Sequence, residues 1–161
     1  MKFSDSYLGK LRQKVGRQLL QVPGGRIVLE RTDGEVLLQK RTDFGVWGLP
    51  GGSAELGESA SDSIRRETFE ETGLTVHQLN CFGFASNPTS ETLTYPNGDQ
   101  IQPFDLLFWS NSWVGTMPDS NAESLALAFF DLNHLPQMLA QHAKTLKMFQ
   151  TFKETGEFQL D

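Results

Sequence analysis

Residues 52–74, GSAELGESASDSIRRETFEETGL, hold the most sharply bounded element of the chain. Ser59 followed three residues later by Asp62 has the form of a capping box, and Gly73 suits the left-handed residue that ends a helix, so the spacing predicts a helix over 60–72. Within it Glu67, Glu70 and Glu71 fall at i, i+3 and i+4, which at about 100° per residue puts three carboxylates on an arc of roughly 100°. Glu70 and Glu71 occupy the last turn, where the helix dipole disfavours negative charge by about 0.3–1 kcal/mol. Arg66 precedes Glu70 by four residues, the weaker ordering for an ion pair. Selection for helix stability alone would place acids early and bases late. A helix that works against itself in this way points to a site. A hard divalent cation would hold the three carboxylates ionised against their mutual repulsion.

The three glutamates alone also fit a plain solvated helix, and the wider spacing separates the two readings. Gly52, Glu58, Arg66, Glu67, Glu70, Glu71, Gly73 and Leu74 stand where the Nudix box, G-x5-E-x7-R-E-U-x-E-E-x-G-U with U aliphatic, requires them. Seven fixed types at roughly 5% each would coincide about once in 10⁹ alignments. The stretch therefore resembles the Nudix hydrolase family, in its MutT-like bacterial form. Thr68 departs from the pattern, standing where the family prefers an aliphatic residue, and is expected to weaken packing more than chemistry. Leu37 to Arg41, Trp47 to Gly52, Tyr95 to Asp99 and Phe129-Phe130-Asp131 are similar to further features of such proteins, so the likeness spans most of residues 17–140.

Around the central helix, Tyr7, Leu8, Leu11 and Val15 recur at helical spacing within an N-terminal helix placed in residues 1–20, before a break at Pro23-Gly24-Gly25. Arg26 to Glu30 and Glu35 to Gln39 read as strands joined in a hairpin through Thr32-Asp33-Gly34. Val46 to Leu49, Leu74 to Phe84, Ile101 to Trp113 and Glu123 to Phe130 have the apolar and aromatic content of strands. Tyr95 to Asp99 has the look of a turn, and a polar loop runs through Asn87-Pro88. Pro136 is expected in the first turn of a closing helix over 136–153. This order predicts one α+β domain over residues 1–161, an α/β/α sandwich around a mixed β-sheet, which is also the fold that the resemblance implies.

A length of 161 residues suffices for one apolar core without disulfides, and the 38% hydrophobic and 21% charged fractions are those of an ordinary globular chain. The single Cys81 fits a reducing compartment, and neither a signal-peptide pattern nor a membrane-spanning run is evident, so a cytoplasmic location is expected. The net charge of −6 argues against broad attraction to nucleic acid or an anionic membrane, and means that a highly charged substrate needs a bridging cation. Lys2, Lys10, Arg12, Lys14 and Arg17 form a local basic run, read as a solvated helix face. His77, His134 and His142 lack zinc-ligand spacing.

The resemblance implies Mg²⁺-dependent, or Mn²⁺-dependent, hydrolysis of a nucleoside diphosphate linked to a group X. Carried over position by position, Glu67, Glu70 and Glu71 with the Gly52 carbonyl hold metal, Arg66 orients a neighbouring carboxylate, and Glu58 supports the shell from its loop. The general base stays open between Glu67, which is preferred, and a distant carboxylate, for which Glu123 is the candidate. Arg41 suits a phosphate, and Phe44 or Trp47 a base or ribose. The substrate is expected to be a small nucleotide compound: ADP-ribose or another nucleotide sugar, a dinucleoside polyphosphate, or a (d)NTP. Two alternatives are a non-catalytic nucleotide-sensing module and action on RNA 5′ ends. A homodimer is a family prior.

Overall fold

The computed structural model describes residues 3–161, so Lys2 of the basic run lies outside the described residues. The chain runs α1 (Tyr7–Val15), β1 (Leu20–Leu29), β2 (Val36–Arg41), β3 (Trp47–Gly48), β4 (Gly51–Ser53), α2 (Ala60–Thr72), β5 (Leu74–Val76) and β6 (Asn80–Ala85). It continues through α3 (Pro88–Glu91), β7 (Leu93–Thr94), β8 (Gln100–Ser110), β9 (Trp113–Gly115), β10 (Ser124–Phe130), α4 (Ala140–Thr155) and β11 (Gln159–Leu160). β8 lies at the centre of the main sheet, in the order β11-β6-β8-β1-β4, and β1 runs parallel to it over ten paired residues and antiparallel to the short edge strand β4. β2 pairs with β10 and β3 in a second sheet.

Successive strand residues point to opposite faces, and here both faces are buried. Val28, Leu38 and Leu107 pack with Leu146 and Phe149 of α4 on one side. Ile27, Leu29, Leu37 and Phe108 pack with Ile64 of α2 on the other. That alternation explains why residues 27–29 and 36–38 read as unbroken apolar runs, and it produces the expected α+β sandwich. A buried ion network ties the layers together: Arg26 of β1 donates to Asp105 of β8 at 2.9 Å, to Thr145 of α4 at 2.9 Å and to Glu91 of α3.

Four expectations are corrected. Pro23-Gly24-Gly25 does not break the chain but lies inside β1. Pro23 still offers its carbonyl to Ala54 N–H at 3.0 Å, and the glycines admit close neighbours, since a Cβ on Gly24 would stand 2.6 Å from the Gly52 oxygen. The turn at 31–35 forms, closed by Arg31 N–H to Glu35 O at 2.9 Å, but β1 and β2 then part into different sheets. The segment 74–84 is two strands, because β5 pairs with β9 and β6 with β8. The last helix starts at Ala140, not Pro136. Residues 137–139 are held extended beside β3 by Trp47 N–H to Gln137 O at 3.2 Å and Leu139 N–H to Trp47 O at 3.0 Å.

Candidate active site

α2 begins and ends where the spacing predicts. The Ser59 hydroxyl accepts from Asp62 N–H at 3.1 Å, and Gly73, at φ 73°, returns its N–H to Phe69 O at 2.8 Å. The helix therefore presents its acidic arc to a cleft of about 370 Å³ bounded by β4, the loops after β2 and before β10, α1 and the turn at 95–99.

Oxygens of Glu67, Glu71 and Glu123 lie within 4.8 Å of one another, a spacing that one cation could span. The distant carboxylate of Glu123 thus joins two of the three helix glutamates. Glu70 lines the same cleft but stands outside this trio, 3.6 Å from Arg66 Nη1. The structure places the third carboxylate on a loop 52 residues further along the chain than Glu71, where no helical periodicity could show it.

Arg66 is the clamp of the group. Its Nε and Nη2 donate to the two oxygens of Glu58 at 2.6 and 2.9 Å, and Nη1 donates to Glu67 Oε1 at 2.8 Å. This bidentate pairing draws the Glu58 carboxyl below its usual range. Glu67 is pushed upward, because burial outweighs the pull of Arg66 and its neighbours Glu123 and Glu70 are also negative. Glu71 is buried and pushed up to about 8, chiefly by desolvation, although Arg41 attracts it and Gly51 N–H donates to it at 2.7 Å. A buried carboxylate with a proton affinity this high is poorly solvated by the protein alone. A divalent ion would supply what the surroundings lack, so the donor set fits Mg²⁺ or Mn²⁺.

Two glycines shape the floor. A Cβ on Gly52 would lie 2.5 Å from Glu67 Cδ, so the carboxylate occupies the space that a side chain would take. Gly51 has φ 152°, and a Cβ there would meet Gly25 O at 2.2 Å. The Gly52 carbonyl lies against Gly24 in the β1–β4 ladder.

Of the expected substrate residues, Arg41 lines the cleft, held by Asp43 at 2.9 and 2.6 Å and raised in proton affinity by that pairing despite its burial. Phe44 packs on Tyr95, which lines the cleft, at 5.4 Å. Trp47 is placed otherwise: it packs edge-on to Phe130 at 4.8 Å beside the α4 core, away from the cleft lining. Its strand neighbour Gly48 is pressed against His142, whose Nδ1 accepts from Leu49 N–H at 2.8 Å.

Sequence reasoning missed Asn121. Its Nδ2 donates to the Glu71 carbonyl at 2.7 Å while its Oδ1 accepts from Glu123 N–H and Ser124 N–H at 2.8 Å each. One side chain thereby satisfies a carbonyl in the last turn of α2 and fixes the loop that carries Glu123. The signal was an Asn two residues before an acid, a loop motif too common to single out. Asp99, two residues after Asn97, was missed for the same reason, and Asp43, two residues after Arg41, because a lone acid in a turn carries no period.

The NUDIX domain family model matches residues 20–151. Over 124 residues the chain is 32% identical to an ADP-ribose pyrophosphatase of Methanocaldococcus jannaschii, covering 75% of this chain and 69% of that one. Over 121 residues it is 42% identical to a putative 8-oxo-dGTP diphosphatase of Bacillus subtilis, covering 75% and 74%. A MutT NUDIX hydrolase from Burkholderia pseudomallei shares the fold, with a TM-score of 0.67 and 24% identity over 80% of this chain and 97% of that one. With the box glutamates gathered at one cleft and the family model covering most of its length, the chain belongs to the Nudix hydrolase family.

Proposed function

We propose that this protein is a Mg²⁺-dependent hydrolase that cleaves the diphosphate linkage of a nucleoside diphosphate joined to a second group, X. The observation that carries the reading is the convergence of Glu67, Glu71 and Glu123 within 4.8 Å at a cleft with room for such a compound. A diphosphate would be repelled by these carboxylates, and a divalent cation bound among them supplies charge neutralisation and a more acidic water.

The chain's own residues do the rest. Arg66 holds Glu67 in one rotamer while Glu58 holds Arg66, so the carboxylate is aimed before substrate arrives. Glu67, whose burial raises its proton affinity, takes the proton of the attacking water. Gly51 lets β4 close on β1, and Gly52 lets the Glu67 carboxylate lie against the main chain. Glu70, at the rim of the cleft, adds negative charge beside Arg66. Arg41, steadied by Asp43, offers charge to a phosphate oxygen.

The name of the archaeal relative favours ADP-ribose and that of the Bacillus relative a damaged nucleoside triphosphate, so both belong in the test. Purified protein with Mg²⁺ is assayed against nucleotide sugars, dinucleoside polyphosphates and (d)NTPs, with the products resolved to locate the broken P–O bond. Glu67→Gln is expected to lower turnover by about 10²-fold or more with the fold retained. Wild-type turnover by that variant refutes the assignment.

A further inference from the structure

The match to the family model begins at residue 20, yet one wall of the cleft is built from residues that precede it. α1 brings Leu8 and Arg12 to the lining, together with Ser6 at its N-cap. This helix is tightly docked. Leu8 packs with Val22 and Ile101 in a small core of its own, and Tyr7 N–H donates to Glu55 Oε2 at 2.8 Å, in the loop between Gly52 and Glu58.

Arg12 is the strut. Only 8% exposed, it does not join the solvated basic face formed by its neighbours. Its guanidinium donates to the carbonyls of Gly16, Gln18 and Gln100, and its Nε lies 4.0 Å from Asp99 Oδ2. It therefore locks α1 against the turn at 95–99, whose Tyr95, Asn97 and Asp99 form the facing part of the lining. Gly98, at φ 87°, and its N–H to Tyr95 O bond at 2.8 Å keep that turn tight.

We propose that α1 and the turn at 95–99 form a specificity wall that receives the group X, and that X is uncharged and hydroxyl-bearing, of sugar size, in preference to a further phosphate. This rests on the reading that the box glutamates hold the metal-bound diphosphate. The wall offers hydrogen-bond acceptors, foremost the Asp99 carboxylate, whose Oδ2 takes Asn97 Nδ2–H at 3.0 Å and whose Oδ1 has no such bond among the described residues. Both terminal nitrogens of Arg12 donate to main-chain carbonyls, and its Nε faces Asp99. Hydroxyl groups donate to such a surface directly. A phosphate set there would face Asp99 without the cation that Glu67, Glu71 and Glu123 gather elsewhere in the cleft. Arg12 acts as a positioning residue, through the placement of α1.

The test uses the full chain with Mg²⁺. kcat and KM are measured for a nucleoside diphosphate sugar and the matching nucleoside triphosphate, with Mn²⁺ affinity as the readout of the glutamates. The wild type is expected to favour the sugar compound by about tenfold or more in kcat/KM. Asp99→Asn should shrink that ratio by about fivefold with Mn²⁺ affinity unmoved. Arg12→Met should raise KM for the sugar compound by about tenfold and leave kcat within about twofold. Should Arg12→Met fail to fold, Glu55→Ala removes the oxygen that accepts from Tyr7 N–H, cuts the other tether of the same helix and is expected to raise the same KM. A wild type that favours the triphosphate overturns the proposal, as do folded variants that leave both the ratio and KM unchanged. A wild type that binds Mn²⁺ but hydrolyses neither compound, nor any other in the wider panel, refutes the underlying reading and this one with it.

Discussion

Gly52→Ala separates function from stability at a single methyl group. Gly52 is not among the glycines with positive φ, so the backbone accepts alanine without strain, and loss of unfolded-state freedom offsets part of any cost. The obstacle is the Glu67 carboxylate, whose carbon and two oxygens would lie 2.5, 2.7 and 2.7 Å from the new atom. Ordinary contact begins near 3.5 Å, so the carboxylate must withdraw by about 1 Å. Because the clash is with the free end of a flexible side chain, unfolding free energy should change by less than about 1 kcal/mol. Metal bonds tolerate errors of only about 0.2 Å, so the withdrawal removes one ligand from the trio. Mn²⁺ affinity should fall by about 10–100-fold and turnover by about 10²-fold. Calorimetric titration with Mn²⁺, steady-state kinetics and urea unfolding read the three quantities on one sample. Wild-type metal affinity and turnover in the variant would refute the reasoning. So would a loss of several kcal/mol in stability, since it would mean that the backbone and not Glu67 had given way. Gly51→Ala is the contrast: its methyl would meet the Gly25 carbonyl at 2.2 Å, so it should destabilise the fold outright.

Two other outcomes follow from the same site. Burial lifts Glu71 from 4.5 to about 8, so between those values the folded chain keeps a proton that the unfolded chain has released. Stability of the metal-free protein should therefore fall as pH rises across that window and level off above it, a slope that Glu71→Gln makes shallower while the raised Glu67 and Asp105 keep their share. Thermal unfolding in chelator from pH 5 to 8.5 checks this, and Mn²⁺ binding near pH 7 should release protons. Asn121→Ala leaves the Glu71 carbonyl with only the longer bond from the Ser124 hydroxyl at 3.3 Å and two loop N–H groups without their Asn121 partner, at a cost of about 1–3 kcal/mol. It should also weaken Mn²⁺ binding by about tenfold, with no further loss in a Glu123→Gln background, as a double-mutant cycle would show.

The Arg26 network shows how the layers constrain the site floor. Arg26 pairs with Gly51 in the β1–β4 ladder while its side chain reaches Asp105 on the neighbouring β8 and the helices α3 and α4. The backbone beside Gly52 is thus anchored to the α3 and α4 layer, opposite α2. Among the described residues no helix is long and apolar enough to cross a membrane.

Local chemistry was enough to determine α2, its caps, and the shared direction of Glu67 and Glu71, because each depends on residues no more than a few positions apart. The Tyr95–Asp99 turn and the paired buried runs at 27–29 and 36–38 belong to the same class. Tertiary structure alone decided the rest. Strand partners are chosen by distant segments, so the hairpin expected at 31–35 opened into two sheets, residues 74–84 divided, and residues 137–139 stayed extended beside Trp47. The same holds within the site. Glu123 reaches the trio through Asn121, Arg12 is drawn out of a basic run by three carbonyls, and Trp47 turns to the core, because burial and hydrogen-bond satisfaction are properties of the packed whole and leave no period in the chain.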